Sequence, residues 1–561
     1  MNINGIQNYL RMKMMKKNNI YIIFSILGVV IVLWQLLLSG YVLTLDMVFG
    51  PHMNLTRNAG DLLNTLPFYY ILYAIKYIFG GWIMQKILLV TIFFLMFYFP
   101  LRYFKKIFNL EETYGVEFVV SLFFVINPFV YERFLAGQWA VLFGYVLLVP
   151  ILAYLISFCR DWNNRNTLKL LASIVILGAV STHILMISLV IIPIVIFANF
   201  IYQKWSLSFL KKSILLGLGV IIISSYWLIP AILSKGTVVT TFGADHWEVF
   251  KTATNSHIGT IGNVLSLHGF WGEHEEWIKR FVLPSEGGWV FVTSLFLFIG
   301  IVFTGIYAGV KDKKIRLMVF LLIFVMFLAT VFSSGITDGI FKNFNMWMFE
   351  NVSFWKGFRD SEKWSAILAL GYALLAGLGA RYLISNLKNI KYQKVALYMI
   401  LTIPILYTPM MLFGLSGQIK TTQYPDSWNE VNNVLREDKN CKALFLPWHQ
   451  YFSLRFNQDI LSANPAGVYF DCGMVQGKNM ELGSISSQGG NGEDYETIEN
   501  VIIDNNANID NTIKFLREKG IKYIIYTDDI DYEDPYLYPF LKSDHLVEVF
   551  HSKGIYLYRI N

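Results

Sequence analysis

Charge is what this sequence has least of. Asp, Glu, Lys and Arg supply 15% of its 561 residues, against about 25% in soluble domains, which is too little polar surface to hold the whole chain in water. The basic residues are dispersed over short polar segments rather than gathered on one face. A net charge of +7 therefore reports topology and not a nucleic-acid surface. Cysteine is scarce too. Of the three, Cys159 ends an apolar segment, while Cys441 and Cys472 lie in the polar C-terminal part. No metal-ligand spacing is present, and a Cys441–Cys472 disulfide and two free buried thiols are both open. A glycine-rich phosphate loop between strand and helix is also missing, so nucleotide-driven chemistry of the soluble type has no support.

Apolar residues dominate instead, at 55%, with 16% aromatic. A membrane-crossing helix needs about 20 mostly apolar residues, and eleven segments qualify: 20–45, 85–103, 116–130, 140–158, 168–182, 184–202, 212–233, 289–310, 316–334, 364–385 and 395–415. The first is longer than the roughly 7–15 residue core of a cleavable signal and has no small-residue cleavage site, so it is expected to be an uncleaved anchor. Residues 67–82, PFYYILYAIKYIFGGW, are apolar enough to tempt a twelfth assignment. Read as an interfacial helix, they leave every basic cluster on one side, from Lys13, Lys16 and Lys17 through Arg102, Lys105 and Lys106 to Lys388, Lys391 and Lys394. That satisfies the positive-inside rule at each cytoplasmic turn. The expected fold is a polytopic α-helical membrane domain over 1–416, with an outer loop 234–288, and an extracytoplasmic α/β domain over 417–561. The N-terminus lies in the cytoplasm of a cell with this protein in its plasma membrane. In the C-terminal part, ALFLPW (443–448), KYIIYT (522–527) and GIYLYRI (554–560) read as strands, and 510–519 as a helix closed by Gly520.

Several polar residues sit where the outer membrane boundary is expected. Asp46 ends the first segment, where partial desolvation raises a carboxylate toward the range useful for proton abstraction; a plain helix end in water is the simpler alternative. Asp61 follows in the same loop. In INPFVYERFLAGQW (126–139), Asn127 and Pro128 break the third span. Glu132, Arg133, Gly137 and Gln138 come next in a short turn, where an ionisable pair points to a cavity between helices, or to a headgroup anchor. His183 stands alone in VSTHILM, and SFWKGFRDSEKW (353–364) places Lys356, Arg359 and Lys363 beside Asp360 and Glu362. A guanidinium there matches a lipid phosphate, although snorkelling accounts for the lysines equally well. Loop 234–288 mixes His246, His257, His268 and Trp271 with carboxylates. Sugar stacking, packing and a divalent cation are the competing readings, and no cofactor is required.

Taken with the acidic residue opening the first outer loop, NPFVYERFLAGQ and GFRDSEKW resemble the GT-C class of membrane glycosyltransferases, within it the arabinofuranosyltransferase D group and the YfhO-like membrane glycosyltransferases. The resemblance implies a polyprenyl-phosphate sugar donor, an extracytoplasmic glycan, lipid or protein acceptor, and inverting transfer. Carried over by position, Asp46 would be the general base. Arg133, His183, Arg359 and Lys363 would hold the donor phosphate, and Asp61, Asn127, Glu132, Gln138, His246 and Trp271 would line the cavity. The oligosaccharyltransferase WWD motif is absent, which argues against transfer to asparagine. The rivals from other classes are a lipid or polysaccharide transporter, which would show inverted repeats and midplane breaks, and a non-catalytic scaffold for cell-surface assembly.

Overall fold

The computed structural model describes residues 3–53, 63–202, 205–233, 242–274, 288–478, 493–503, 508–531, 534 and 538–561. Asp61 and much of loop 234–288 lie outside the described residues. Among them, nine helices are long and apolar enough to cross a membrane: Lys17–Leu37, Gly81–Phe108, Val116–Leu135, Trp139–Arg160, Thr182–Tyr202, Leu207–Leu233, Gly288–Lys311, Arg316–Ser333 and Ser361–Ser385. Ile390–Tyr407 and Pro409–Ser416 form a tenth if the pair, bent by 81°, is one span. The remaining expected segment, 168–182, falls on the 17-residue helix Asn164–Val180. Two of these helices meet backbone to backbone. A Cβ added at Gly305 would lie 1.9 Å from the Leu375 carbonyl, and one at Gly379 would lie 2.0 Å from that of Ile301, the small-residue contact that lets membrane helices approach closely.

Two boundaries differ from expectation. The first apolar run does not stay helical to residue 45. Helical structure ends at Leu37, Gly40 takes φ +101°, and Tyr41–Val42 becomes a strand, β1. Its apolar character persists because the segment is buried by protein on both sides rather than by lipid. The Gln85 side-chain amide brackets Val42, accepting from its N–H at 2.9 Å and donating to its carbonyl at 2.7 Å. On the other edge β1 pairs antiparallel with β2 (Thr421–Thr422). The third span likewise continues past 130. Asn127 caps the restarted helix Pro128–Leu135, accepting from the Val130 N–H and donating to the carbonyls of Phe123 and Phe124. Glu132 and Arg133 thus lie on a buried helical turn, and the tight turn is confined to 136–138.

Beyond Gly417 the chain forms a three-layer α/β unit. Its central sheet runs β6 (Gly473–Gln476), β3 (Lys442–Leu446), β7 (Tyr523–Tyr526), β9 (Ile555–Ile560), β8 (Leu546–Ser552); the first three are parallel and the last two antiparallel to their neighbours. Burial on both faces explains the unbroken apolar run in β3. Ala443 and Phe445 pack on Trp428, Val431 and Leu435 of helix Asp426–Arg436. Leu444 and Leu446 pack on Ile513 and Leu516 of Ile509–Glu518. The expected strands and helix are all present, with Asn508 capping the helix and Gly520 at φ +76°. Cys441 and Cys472 are joined by a disulfide. A separate hairpin, β4 (Tyr451–Ser453) and β5 (Leu461–Ala463), reaches toward the helical domain.

Candidate functional site

That hairpin fixes Asp46. The Leu45 N–H donates to the Leu461 carbonyl at 2.8 Å, the Ala463 N–H donates back to Leu45 at 2.7 Å, and the Asp46 N–H donates to Ala136 at 3.1 Å. The turn Thr44–Met47 is thereby clamped between the C-terminal unit and the end of helix Pro128–Leu135. Gly137 allows the fit. At φ +70° its hypothetical Cβ would stand 2.3 Å from the Met47 nitrogen and 2.5 Å from the Thr44 carbonyl, so any side chain there would push the Asp46 turn away.

The Asp46 carboxylate is enclosed by the protein yet reached by solvent, as on the floor of a crevice. Tyr451 donates its hydroxyl to Oδ1 at 3.0 Å and Gln138 its amide to Oδ2 at 3.4 Å. Burial pushes the carboxyl above the ordinary aspartate value, while those two hydrogen bonds and the Lys363 charge oppose the rise. Arg359 lies close by, in the field of Tyr451, Asp360 and Asp46. Its guanidinium lies 4.1 Å from the ring centre of Phe242 and 4.4 Å from that of Phe250, and its buried Nη1 has no hydrogen-bond acceptor among the described residues. His183 packs edge-on to Phe358 within the field of Lys363, Asp360, Arg133 and Arg359. Trp271 meets Phe250 edge to face at 5.0 Å, in a cluster that includes Tyr451. His246 is one layer further out, against Phe242.

Behind this crevice lies a buried charge network. Arg133, with no exposed surface, pairs with Asp360 and Glu362 and donates to Gln138 Oε1 at 2.7 Å; its guanidinium is 4.7 Å from the Phe270 ring centre. Lys363 pairs with Asp360 at 3.2 Å. Burial alone would raise the Asp360 carboxyl, but Arg133 and Lys363 outweigh it and hold the group well below the usual carboxylate range. Glu132 lies against Glu273, which accepts from Asn263 at 3.0 Å.

Asp46, Gln138, His183, Arg359, Lys363, Trp271 and His246 are therefore brought to one place, and three expected residues, Asn127, Glu132 and Arg133, are not; Glu132 sits in the buried network against Glu273. Asn127 spends its amide on the helix break. Arg133 spends both terminal nitrogens on two carboxylates and an amide, which ties it into the network behind the crevice, while its buried Nε has no partner among the described residues. The residue that sequence reading missed is Tyr451, 405 positions from its partner Asp46; nothing local distinguishes it from other strand tyrosines. Among the described residues no three His, Cys, Asp or Glu side chains come together as a metal set.

No family model matches the sequence, and no curated protein matches it. Solved structures do resemble it. The chain superimposes on the arabinofuranosyltransferase AftD from Mycobacteria with a TM-score of 0.60 at 12% identity, covering 97% of this chain and 40% of that one. Two classes of a point mutant of that enzyme give 0.62 and 0.54 at 13% identity, covering 97% of this chain and 41% of theirs. The chain thus spans about two fifths of the length of the enzyme it resembles. The likeness to the GT-C class read from two short motifs extends, as a likeness of fold, over nearly the whole chain.

Proposed function

We propose that this protein is a membrane glycosyltransferase that moves a sugar from a polyprenyl-phosphate donor to an acceptor outside the cytoplasm, with inversion. One observation carries the reading: the Asp46 carboxylate, which solvent reaches, lies within the field of the Arg359 guanidinium, which keeps an unsatisfied buried N–H. Asp46 takes the proton of the acceptor hydroxyl as its oxygen bonds to the anomeric carbon. The bond from that carbon to the donor phosphate oxygen breaks, and polyprenyl phosphate leaves with the electron pair. Charge grows on the leaving phosphate, so a guanidinium already held between two rings stabilises the transition state without reorganising. His183 and Lys363 add donors beside it.

A lipid-linked donor is supported by an apolar groove of about 210 Å³ between Trp139–Arg160, Thr182–Tyr202, Arg316–Ser333 and Ser365–Ser385. Its upper lining includes Ile367, one helical turn beyond Lys363, and Ser188, five residues beyond His183. Its other end is lined by Arg160, Lys313 and Lys314, and an isoprenoid chain lying in it would run along the spans toward that end. The Cys441–Cys472 disulfide supports an oxidising, extracytoplasmic setting for the C-terminal unit. Helix Leu66–Phe79, which exposes Tyr70, Ile71, Tyr77 and Ile78, suits a position along the membrane surface.

The test is transfer in proteoliposomes supplied with polyprenyl-phosphate sugar. Arg359→Ala is expected to lower kcat/KM by about 10²–10³, the effect of losing one preorganised donor. Arg359→Lys should fail to restore it, because an ammonium cannot reproduce the planar fork. Full activity in Arg359→Ala would remove the donor-phosphate assignment. A second measurement concerns Tyr451. Its hydroxyl stabilises the charged form of Asp46, so Tyr451→Phe raises the carboxyl further. A base must be unprotonated, and the acid limb of the kcat/KM profile should move to higher pH while the rate on the alkaline side changes little. An unmoved limb would mean that the titrating base is another group.

A further inference from the structure

The end of the bundle opposite Asp46 carries a second concentration of charge that the proposed transfer does not use. The last turns of Gly81–Phe108, the flank of Trp139–Arg160 and the start of Asn164–Val180 enclose a polar cavity of about 460 Å³, whose lining includes Arg102, Tyr103, Lys105, Lys106, Tyr154 and Lys169. The two tyrosine hydroxyls are hydrogen-bonded to each other at 2.8 Å. Over that pair the ammonium of Lys106 lies 4.7 Å from the Tyr154 ring centre and 6.0 Å from that of Tyr103, and Lys169 approaches Tyr154 from a different helix at 5.9 Å.

These cations repel one another. Lys106 sits in the unfavourable fields of Lys169, Arg102 and Arg160, and among the described residues none of them is ion-paired with a carboxylate. Their hydrogen bonds go to neutral groups instead: Lys105 donates to the Glu111 carbonyl at 2.6 Å, and Arg160 to the carbonyls of Lys106 and Ile107. The neighbouring acids Glu111, Glu112 and Asp161 are exposed, as are Arg102, Lys105 and Lys106, and Asp161 accepts from Asn163 at 2.6 Å. Lysines that merely snorkel at a membrane boundary are free to spread apart. Here two are drawn over one pair of rings, a concentration of positive charge suited to an anion supplied from outside the chain.

We propose that this cavity binds the phosphate of an anionic phospholipid from the leaflet at this end of the bundle. It opens where the apolar spans end, at the level that tyrosines and headgroups share, and basic pockets between spanning helices are suited to anionic headgroups. Lysine ammonium groups supply point charges, Arg102 a fork, and the one tyrosine hydroxyl not donating to the other a neutral donor.

Native mass spectrometry of the full-length protein, titrated with phosphatidylglycerol or with phosphatidylcholine of the same acyl chains, tests this. The wild type should retain phosphatidylglycerol at least about tenfold more tightly, a difference of roughly 1.4 kcal/mol. Lys106→Gln combined with Lys169→Gln should erase the preference without lowering sugar transfer, and Lys169→Gln alone, a change on one half-exposed side chain, should weaken it. Equal retention of the two lipids, or a preference that survives the double substitution, would overturn the proposal. So would displacement of phosphatidylglycerol by millimolar inorganic phosphate, which would make the cavity a site for soluble anions.

Discussion

Asp46→Asn should reduce sugar transfer by about 10³-fold while leaving the protein's yield and melting behaviour close to wild type. General-base assistance contributes about 10²–10⁴, and an asparagine has no basic lone pair to offer an acceptor hydroxyl. The replacement is nearly isosteric. Its amide oxygen still accepts from Tyr451, which now donates at 3.0 Å, and the backbone clamp through Leu45, Ala463 and Ala136 does not involve the side chain. Structure and chemistry are therefore separable at this position. A transporter or a scaffold with the same fold would tolerate the change, so unaltered transport or assembly without any Asp46-dependent transfer would favour those classes. Wild-type transfer by the variant would remove the base and leave the fold alone standing. The direction of the pH dependence adds a check. Burial raises the carboxyl, so the wild-type rate should fall, as pH decreases, earlier than an ordinary aspartate would allow.

Much of this arrangement is legible in the sequence because lipid and water sort residues strongly. Long apolar runs bounded by basic clusters give the spans, Asn127-Pro128 gives the helix break, and the alternation of turn residues with β-branched runs gives three strands of the central sheet. The errors have a common cause. Burial by protein and burial by lipid select the same residues, so YVLTL at 41–45 reads as the end of a span although it is a strand held by Gln85, β2 and the β4–β5 hairpin. Short strands such as β4 and β5 carry too few residues for a period to register. The strand LVEVFHS, β8, sits at the sheet edge with half of its side chains exposed. Contacts between residues hundreds of positions apart leave no local trace, which is why Tyr451 was invisible and why the pairing of Arg133 with Asp360 and Glu362 was too, since they stand in a separate motif 227 and 229 positions away.

That buried pairing of Arg133 leads to the other large effect. Arg133→Leu should unfold or disperse the protein, because it leaves Asp360 and Glu362, which are 5% and 1% exposed, buried without their guanidinium; breaking such a pair costs about 3–5 kcal/mol. A loss of that size is a large share of the usual stability margin, and it should appear as a lowered melting midpoint in detergent and an aggregated peak on size exclusion. Lys363 can balance only part of the remaining charge, since it reaches Asp360 at 3.2 Å and Glu362 keeps no cation. If the cost is electrostatic, removing the carboxylate left without a cation should recover it: Arg133→Leu with Glu362→Leu replaces that pair by apolar groups while Asp360 keeps Lys363 at 3.2 Å, and such replacements are often neutral or stabilising. The double variant should therefore melt near wild type. Its transfer rate then reports what the network does beyond folding, because Gln138 loses its Arg133 contact at 2.7 Å while its link to Asp46 is left in place. Recovered stability with lowered transfer would assign the network to holding the crevice wall. A single variant that melts like wild type would mean instead that Arg133 is free to serve the donor phosphate.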